Sequence, residues 1–399
     1  MTDAPDKPMT DVSSLSANWN YPTSVRFGVG RIGELPECCE SLGMKRPLLV
    51  TDPGLADRDM VKDAAAANDD AGLPTSVFSD IKPNPVGQNI SDGLRAFHEG
   101  GHDGVIAFGG GSAMDAGKTI AFMAGQKRPL WDFEDIGDNW KRAELDAIAP
   151  IIAVPTTSGT GSEVGRATVV IDEETETKKI LFHPRMLPEL VISDPALVAG
   201  LPPHLTAATG MDALAHSLEA FSVDAYHPMA DGIALEGMRL VRNWLPVAFK
   251  DGSNLEARAH MMAAATMGAT AFQKGLGAIH SLSHPVGAVF DTHHGLTNAV
   301  FMPYVLVFNR PAIEDKMEML ARFIGLENPS FQAVLEWTLE LRDTFEMPPT
   351  AAELGVAEDR IGDIADMAAK DPTAPTNPVK AGVKEMREIL DAAMEGRIG

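Results

Sequence analysis

The sequence predicts an α/β N-terminal domain built on a parallel sheet, followed by an all-α C-terminal domain. Three observations carry that prediction. Up to about residue 195, short apolar runs bounded by turn residues alternate with helix-length stretches. Beyond Leu201-Pro202-Pro203 such runs almost vanish, and Ala, Met, Leu and Glu dominate instead. The length of 399 residues leaves room for two or three domains. The expected division is a polar, disordered lead over residues 1–16, the α/β domain over 17–200 and the helical domain over 201–399.

Taken in order, Leu48-Leu49-Val50 runs into the turn residues Asp52-Pro53-Gly54, and Val105-Ile106-Ala107-Phe108 ends at three glycines. Ile151-Ile152-Ala153-Val154 then ends at Pro155, and Leu190-Val191-Ile192 at Asp194-Pro195. Unbroken apolar runs of this length suit strands covered on both faces, as in a parallel sheet. Helices are predicted over residues 40–43, 57–72 and 89–100, each closing near a glycine. In the second domain, residues 206–221 and 255–273 have helical composition and spacing. The 20 methionines read as packing filler.

Composition narrows the function. A net charge of −23 repels phosphate backbones and anionic head groups, which argues against nucleic-acid and membrane-surface partners. No apolar run approaches the roughly 18 residues of a membrane-spanning helix. The first residues lack the basic and apolar segments of a secretory signal. Cys38 and Cys39 are adjacent and cannot frame a disulfide scaffold, which favours a reducing compartment. The expectation is a cytoplasmic enzyme.

Two loops suggest a phosphate-bearing ligand. Gly109-Gly110-Gly111-Ser112 lies between a strand and a helix-like stretch holding Asp115 and Lys118. Glycines let the backbone approach a phosphate, and free amides at a helix N-terminus stabilise its charge. Three glycines also suit a plain tight turn, and the pattern is not the GxGxxG fingerprint. The second loop, Pro155-Thr156-Thr157-Ser158-Gly159-Thr160-Gly161-Ser162-Glu163, reads either as a ligand loop or as a helix cap. The C-terminal ends of parallel strands gather on one edge of a sheet, so the two loops together favour a nucleotide. Asp52 falls on the same edge. It is either an acceptor for a ribose 2′-hydroxyl, which favours NAD over NADP, or the opening residue of a turn.

Of the 11 histidines, His280, His284, His293 and His294 lie within 15 residues, where even spacing would put fewer than one. His280 and His284 are four apart and share a helix face, as do Asp212 and His216 upstream. One carboxylate and several imidazoles from different helices suit a divalent metal such as zinc or ferrous iron.

These residues resemble the iron-dependent (group III) alcohol dehydrogenases. The resemblance runs from about Asn20 to the C-terminus and rests on several motifs. In the first half they are Phe27-Gly28-Val29-Gly30, Lys82-Pro83-Asn84-Pro85, the GGGSxxDxxK stretch from Gly109 to Lys118 and the PTTSGTGSE loop. In the second half they are Gly210-Met211-Asp212-Ala213-Leu214-Ala215-His216, His280-xxx-His284-Pro285 and His294-Gly295.

The resemblance implies a Rossmann-like NAD(P)-binding domain and a helical metal-binding domain, an architecture shared with dehydroquinate synthase-like proteins. By matching position it implies the metal ligands Asp212, His216, His280 and His294. His284 would line the site without ligating, and His293 falls where the family varies; histidine's unperturbed pKa of about 6.5 suits His284 to relay the alcohol's proton. Asn84, Gly110, Gly111, Ser112, Thr156, Thr157, Thr160 and Lys179 match cofactor-contacting positions, and Asp52 the ribose-facing acid. Small residues, Ala167 and Ala271, match pocket walls. The implied activity is reversible hydride transfer between a small, primary alcohol and NAD, with Fe(II) or Zn as Lewis acid, in a homodimer or larger homo-oligomer. Two other readings keep the same ligands: a metal-dependent hydrolase, and a non-redox nucleotide-binding protein whose metal is structural.

Overall fold

The computed structural model describes Tyr21, residues 23–175 and residues 177–398, so the expected lead over residues 1–16 lies outside the described residues. Among the described residues there are eight strands: β1 (Ser24–Phe27), β2 (Pro47–Thr51), β3 (Ser76–Phe78), β4 (Gly104–Gly109), β5 (Ile151–Pro155), β6 (Ala167–Asp172), β7 (Thr177–Phe182) and β8 (Leu190–Ser193). Six of them form one sheet in the order β1-β8-β5-β4-β2-β3, every neighbouring pair parallel. β6 and β7 form a separate antiparallel hairpin. Helices α1 (Leu35–Ser41), α2 (Pro53–Ala56), α3 (Asp59–Asp70), α4 (Gly87–Glu99) and α5 (Gly111–Met123) connect the sheet strands.

The four predicted strands are the buried ones, and alternation explains why. Leu48, Val50, Val105 and Ile151 pack with Ile90, Phe97 and Ile120 on one face of the sheet. Leu49, Ile106 and Ile152 pack with Leu35, Cys38 and Val61 on the other. Both faces are covered, so both sets of side chains are apolar. β1 and β3 were not predicted. They are short edge strands with mostly exposed side chains and carry no continuous apolar run. The helix predicted over residues 40–43 starts earlier, at Leu35, because Pro36 suits a first helical turn. It is over by Gly43, which takes a φ of 75°.

The remaining chain is helical: α6 (Pro203–Ser222), α7 (Pro228–Lys250), α8 (Leu255–Ala271), α9 (Ala278–Phe290), α10 (His294–Ile324), α11 (Phe331–Thr344), α12 (Ile361–Ala368) and α13 (Val383–Glu395). α6 is the hub and packs on α7, α8 and α10. Residues 206–222 are buried without a break, so its ionisable members there, Asp212, His216 and Glu219, are set inside a largely apolar body. Small residues make this possible: a side chain at Gly210 would meet Leu245 Cδ1 at 2.2 Å, where α6 crosses α7. Among the described residues no helix is long and apolar enough to cross a membrane.

Candidate metal and dinucleotide site

The parallel sheet brings Asp52, the triple glycine and the 155–163 loop to one edge, as strand polarity requires. Asp52 Oδ2 accepts from the Gly110 amide at 3.2 Å, and burial pushes this carboxyl up. Gly109 must be glycine: its φ is 153°, and a Cβ there would meet Asp52 Oδ2 at 2.5 Å. The second loop lies over the first. A Cβ on Gly110 would touch Thr157 Cγ2 at 3.3 Å, and one on Gly111 would touch Thr160 Cγ2 at 2.7 Å. The Thr156 amide donates to the Gly109 carbonyl at 2.9 Å. Ser112 Oγ donates to the Pro83 carbonyl, beside Asn84. Asn84 Nδ2 in turn donates to Asp291 Oδ1 at 2.7 Å, tying the sheet edge to the end of α9.

A buried network fixes the second loop. Lys118 Nζ on α5 donates to the Ser162 carbonyl and hydroxyl, both at 3.0 Å, and to the Ala167 carbonyl at 2.8 Å. Asp115 accepts from Ser162 Oγ at 2.7 Å and from the Val169 amide at 2.9 Å. Glycine contacts then press the loop onto the helices: a Cβ on Gly159 would lie 2.8 Å from the Thr209 carbonyl oxygen of α6. The loop thus bridges the sheet edge and the helix that carries Asp212 and His216.

Lys179 is placed differently from its expected role. Its Nζ pairs with Asp172 at 2.8 Å and Glu134 at 3.5 Å, over the Trp131 ring, so its charge is committed to the hairpin. Side chains alternate along a strand, so the preceding residue faces the opposite way. Lys178 Nζ lies 3.1 Å from where a Cβ on Gly287 of α9 would be, on the side of Asp291 and His294. Of the two expected pocket walls, Ala167 is half-buried and Ala271 is fully buried at the end of α8.

Asp212, His216, His280 and His294 converge as expected: one ligand atom from each lies within 4.8 Å of the others. Asp212 and His216 stand one turn apart on α6, His280 comes from α9, and His294 is the first residue of α10. Asp212 Oδ1 is 3.8 Å from His216 Nε2 and 3.6 Å from His294 Nε2. Tetrahedral coordination at about 2.1 Å would set donors about 3.4 Å apart, so the spacing fits one divalent cation. Burial pushes His216 down to about 4, against the pull of Asp212. Burial, helped by His280, His284 and Lys178, holds His294 well below the ordinary histidine range. Both imidazoles therefore keep a lone pair at neutral pH. His280 is held above its ordinary range: burial acts downward, but Glu219 outweighs it through charge and a hydrogen bond.

A pH dependence follows for the metal-free protein. Between about pH 6.5, where a free histidine titrates, and about pH 4, the unfolded chain binds protons that folded His216 refuses. Stability should therefore fall on acidification through that window, with the loss from His216 complete below it. His280 opposes this only above the ordinary histidine value, where its contribution fades as pH rises. Thermal midpoints of metal-free protein should drop from pH 7 to pH 5 more steeply than those of His216→Asn; equal slopes would contradict the assignment.

Four residues of the site escaped the sequence reading. Glu219 Oε2 accepts from His280 Nδ1 at 2.5 Å. Asn298 Nδ2 lies 2.8 Å from Asp212 Oδ1, 3.3 Å from His280 Nε2 and 3.2 Å from His294 Nε2. Asp371 Oδ2 accepts from His284 Nδ1 at 2.8 Å, and Lys178 is the fourth. The His284 ring stacks on that of His294, with centroids 5.5 Å apart, so His284 adjoins the cluster as expected of a lining residue.

Comparison with known proteins agrees with this architecture. Residues 22–195 match the family profile "Iron-containing alcohol dehydrogenase", and residues 206–394 match "Fe-containing alcohol dehydrogenase family, C-terminal". A 4-hydroxybutyrate dehydrogenase of Cupriavidus necator is 39% identical over 388 residues, covering 94% of this chain and 99% of the relative. The crystal structure of a 1,3-propanediol oxidoreductase superposes with a TM-score of 0.90 at 34% identity, over 95% of this chain and 100% of that one. That of a sulfoacetaldehyde reductase from Bifidobacterium kashiwanohense, in complex with NAD+, superposes with a TM-score of 0.86 at 28% identity, over 95% and 99%. The chain belongs to the iron-containing alcohol dehydrogenase family, and by that membership it is an alcohol oxidoreductase.

Proposed function

We propose that the chain catalyses reversible oxidation of a small, primary alcohol with NAD, using Fe(II) or Zn held by Asp212, His216, His280 and His294. The observation that carries this reading is the convergence of one carboxylate and three imidazoles beside the sheet edge that bears Asp52 and the two glycine loops. When bound, the cation would polarise the substrate oxygen and lower the alcohol's pKa, and NAD would take up the hydride. The chain's own residues do the rest. Gly110, Gly111 and Ser112 open α5 and present its free amides to a pyrophosphate, with Thr156, Thr157 and Thr160 above them. Asp52 accepts from ribose hydroxyls and repels a 2′-phosphate, which selects NAD over NADP. Lys178 replaces Lys179 as the cation available to the dinucleotide. Asp371 holds the His284 Nδ1 proton and leaves Nε2 free to take the proton the alcohol gives up.

The test is to add NAD and a panel of alcohols, including 4-hydroxybutyrate and 1,3-propanediol, with ferrous iron or zinc and then with a chelator. Metal-dependent NADH formation is the expected result; its absence with every alcohol and both metals would sink the reading. For His284→Ala the expectation is a folded protein with full metal content, an altered pH profile and turnover lower by about 10²-fold, as for loss of a positioned proton acceptor. Unchanged rate and pH dependence would remove His284 from the relay.

A further inference from the structure

Glu219 stands seven residues after Asp212 and three after His216, on the same face of α6. It is 5% exposed, and no lysine or arginine pairs with it among the described residues. Its two oxygens do separate jobs. Oε1 accepts from the Ile279 amide at 2.7 Å, in the first turn of α9, and Oε2 accepts from His280 Nδ1 at 2.5 Å. On the far side of the same ring, Asn298 Nδ2 lies 3.3 Å from His280 Nε2, with Asp212 Oδ1 and His294 Nε2 nearer to it at 2.8 and 3.2 Å. An ionised carboxylate can only accept, so Glu219 places a proton on His280 Nδ1 and leaves Nε2, which faces the other donors, as the atom that would ligate. A carboxylate buried without a full cationic partner is costly, and a divalent ion beyond the imidazole would supply the missing charge.

We propose that Glu219 is the positioning residue of the metal site: it locks the tautomer and ring orientation of His280, and anchors α9 to α6, so that the four donors are arranged before a cation arrives. This rests on the metal-binding reading above. A carboxylate behind a ligating histidine raises its basicity, and removing such a partner typically weakens metal binding by about 10–100-fold.

Glu219→Gln separates this role from simple packing, because the amide keeps the shape but has only one acceptor. With its oxygen on the Ile279 amide, its NH2 faces Nδ1 and forces the proton onto Nε2, the wrong atom. Zinc affinity, read by chelator competition, should fall about 10–100-fold. The visible spectrum of the cobalt-substituted protein should change, while the metal-free thermal midpoint moves little. Wild-type affinity and spectrum in Glu219→Gln would overturn the proposal. Should that variant not fold, the wild type decides: with 15N-labelled histidine and bound zinc, His280 should carry its proton on Nδ1, and a proton on Nε2 would overturn the proposal. A wild-type protein that holds no zinc, iron or cobalt would instead remove the metal-binding reading, and this proposal with it.

Discussion

Replacing His280 with Ala should abolish metal retention and turnover while leaving NAD binding close to wild type. His280 supplies one of four donors from the buried centre of the cluster, 2% exposed, and the neighbouring His284 imidazole is tied by its Nδ1 to Asp371. Loss of a Lewis acid that contributes several kcal/mol to the reaction corresponds to at least about three decades in rate. The nucleotide loops are held by Asp52, Asp115 and Lys118 on the sheet side, and none of these touches His280. The substitution also strands the Glu219 carboxylate, so stability should drop by about 3 kcal/mol, the lower end for breaking a buried pair. Metal content by mass spectrometry, NAD affinity by calorimetry and NADH production check the three parts. Retained, metal-dependent activity would refute the ligand assignment.

The second large effect needs no change to a donor. Gly295 follows His294 at the start of α10, where that helix presses on α6. A Cβ at Gly295 would lie 2.2 Å from the Ala208 carbonyl oxygen and 3.0 Å from Asp212 Cβ. Backbone atoms cannot swing aside as a flexible side chain can. Gly295→Ala must therefore push the first turn of α10 outward and carry His294 away from Asp212. Overpacking of this kind costs about 1–3 kcal/mol. The stabilisation that excess zinc gives the wild type in thermal unfolding should largely disappear. Gly362, inside α12 with open space around it, is the control: Gly362→Ala should raise the midpoint slightly and leave the metal response intact. Equal metal responses in the two variants would show that the α6–α10 contact does not set the site.

The parts of the fold that were legible in the sequence are those where one constraint dominates. Residues 48–50, 105–108, 151–154 and 190–192 read as strands because both faces of the sheet are covered and every side chain there is apolar. The hairpin β6–β7 carries runs as short, Val169-Val170-Ile171 and Ile180-Leu181-Phe182, but only one face of it is buried along β6, and β7 opens with Lys178 and Lys179, so its apolar residues lack the turn-bounded setting of the sheet strands. Without that strand, nothing in the sequence distinguished which of the two adjacent lysines faces α9. In the site, the histidine density and the i, i+4 pairs marked the segments that hold the donors, but they offered His284 and His293 as readily as His294, and only the family resemblance singled out the four. Glu219 has a signal in the sequence: with Asp212 and His216 it completes an i, i+4, i+7 stripe of ionisable residues on a helix whose other residues from 206 to 222 are apolar or hydroxyl-bearing. Asp371 left none, since it meets His284 from 87 residues away, in a segment between helices. Asn298 stands one turn beyond His294, yet becomes meaningful only once α10 is known to lie against α6.

The central claim is that a carboxylate and three imidazoles from α6, α9 and α10 grip one cation. Crystals grown with zinc and NAD, measured at the zinc absorption edge, test it without any assay or variant. The account expects a single strong anomalous peak among Asp212, His216, His280 and His294, at about 2.0–2.2 Å from each donor. Density for the dinucleotide with no anomalous peak between those four side chains would contradict it.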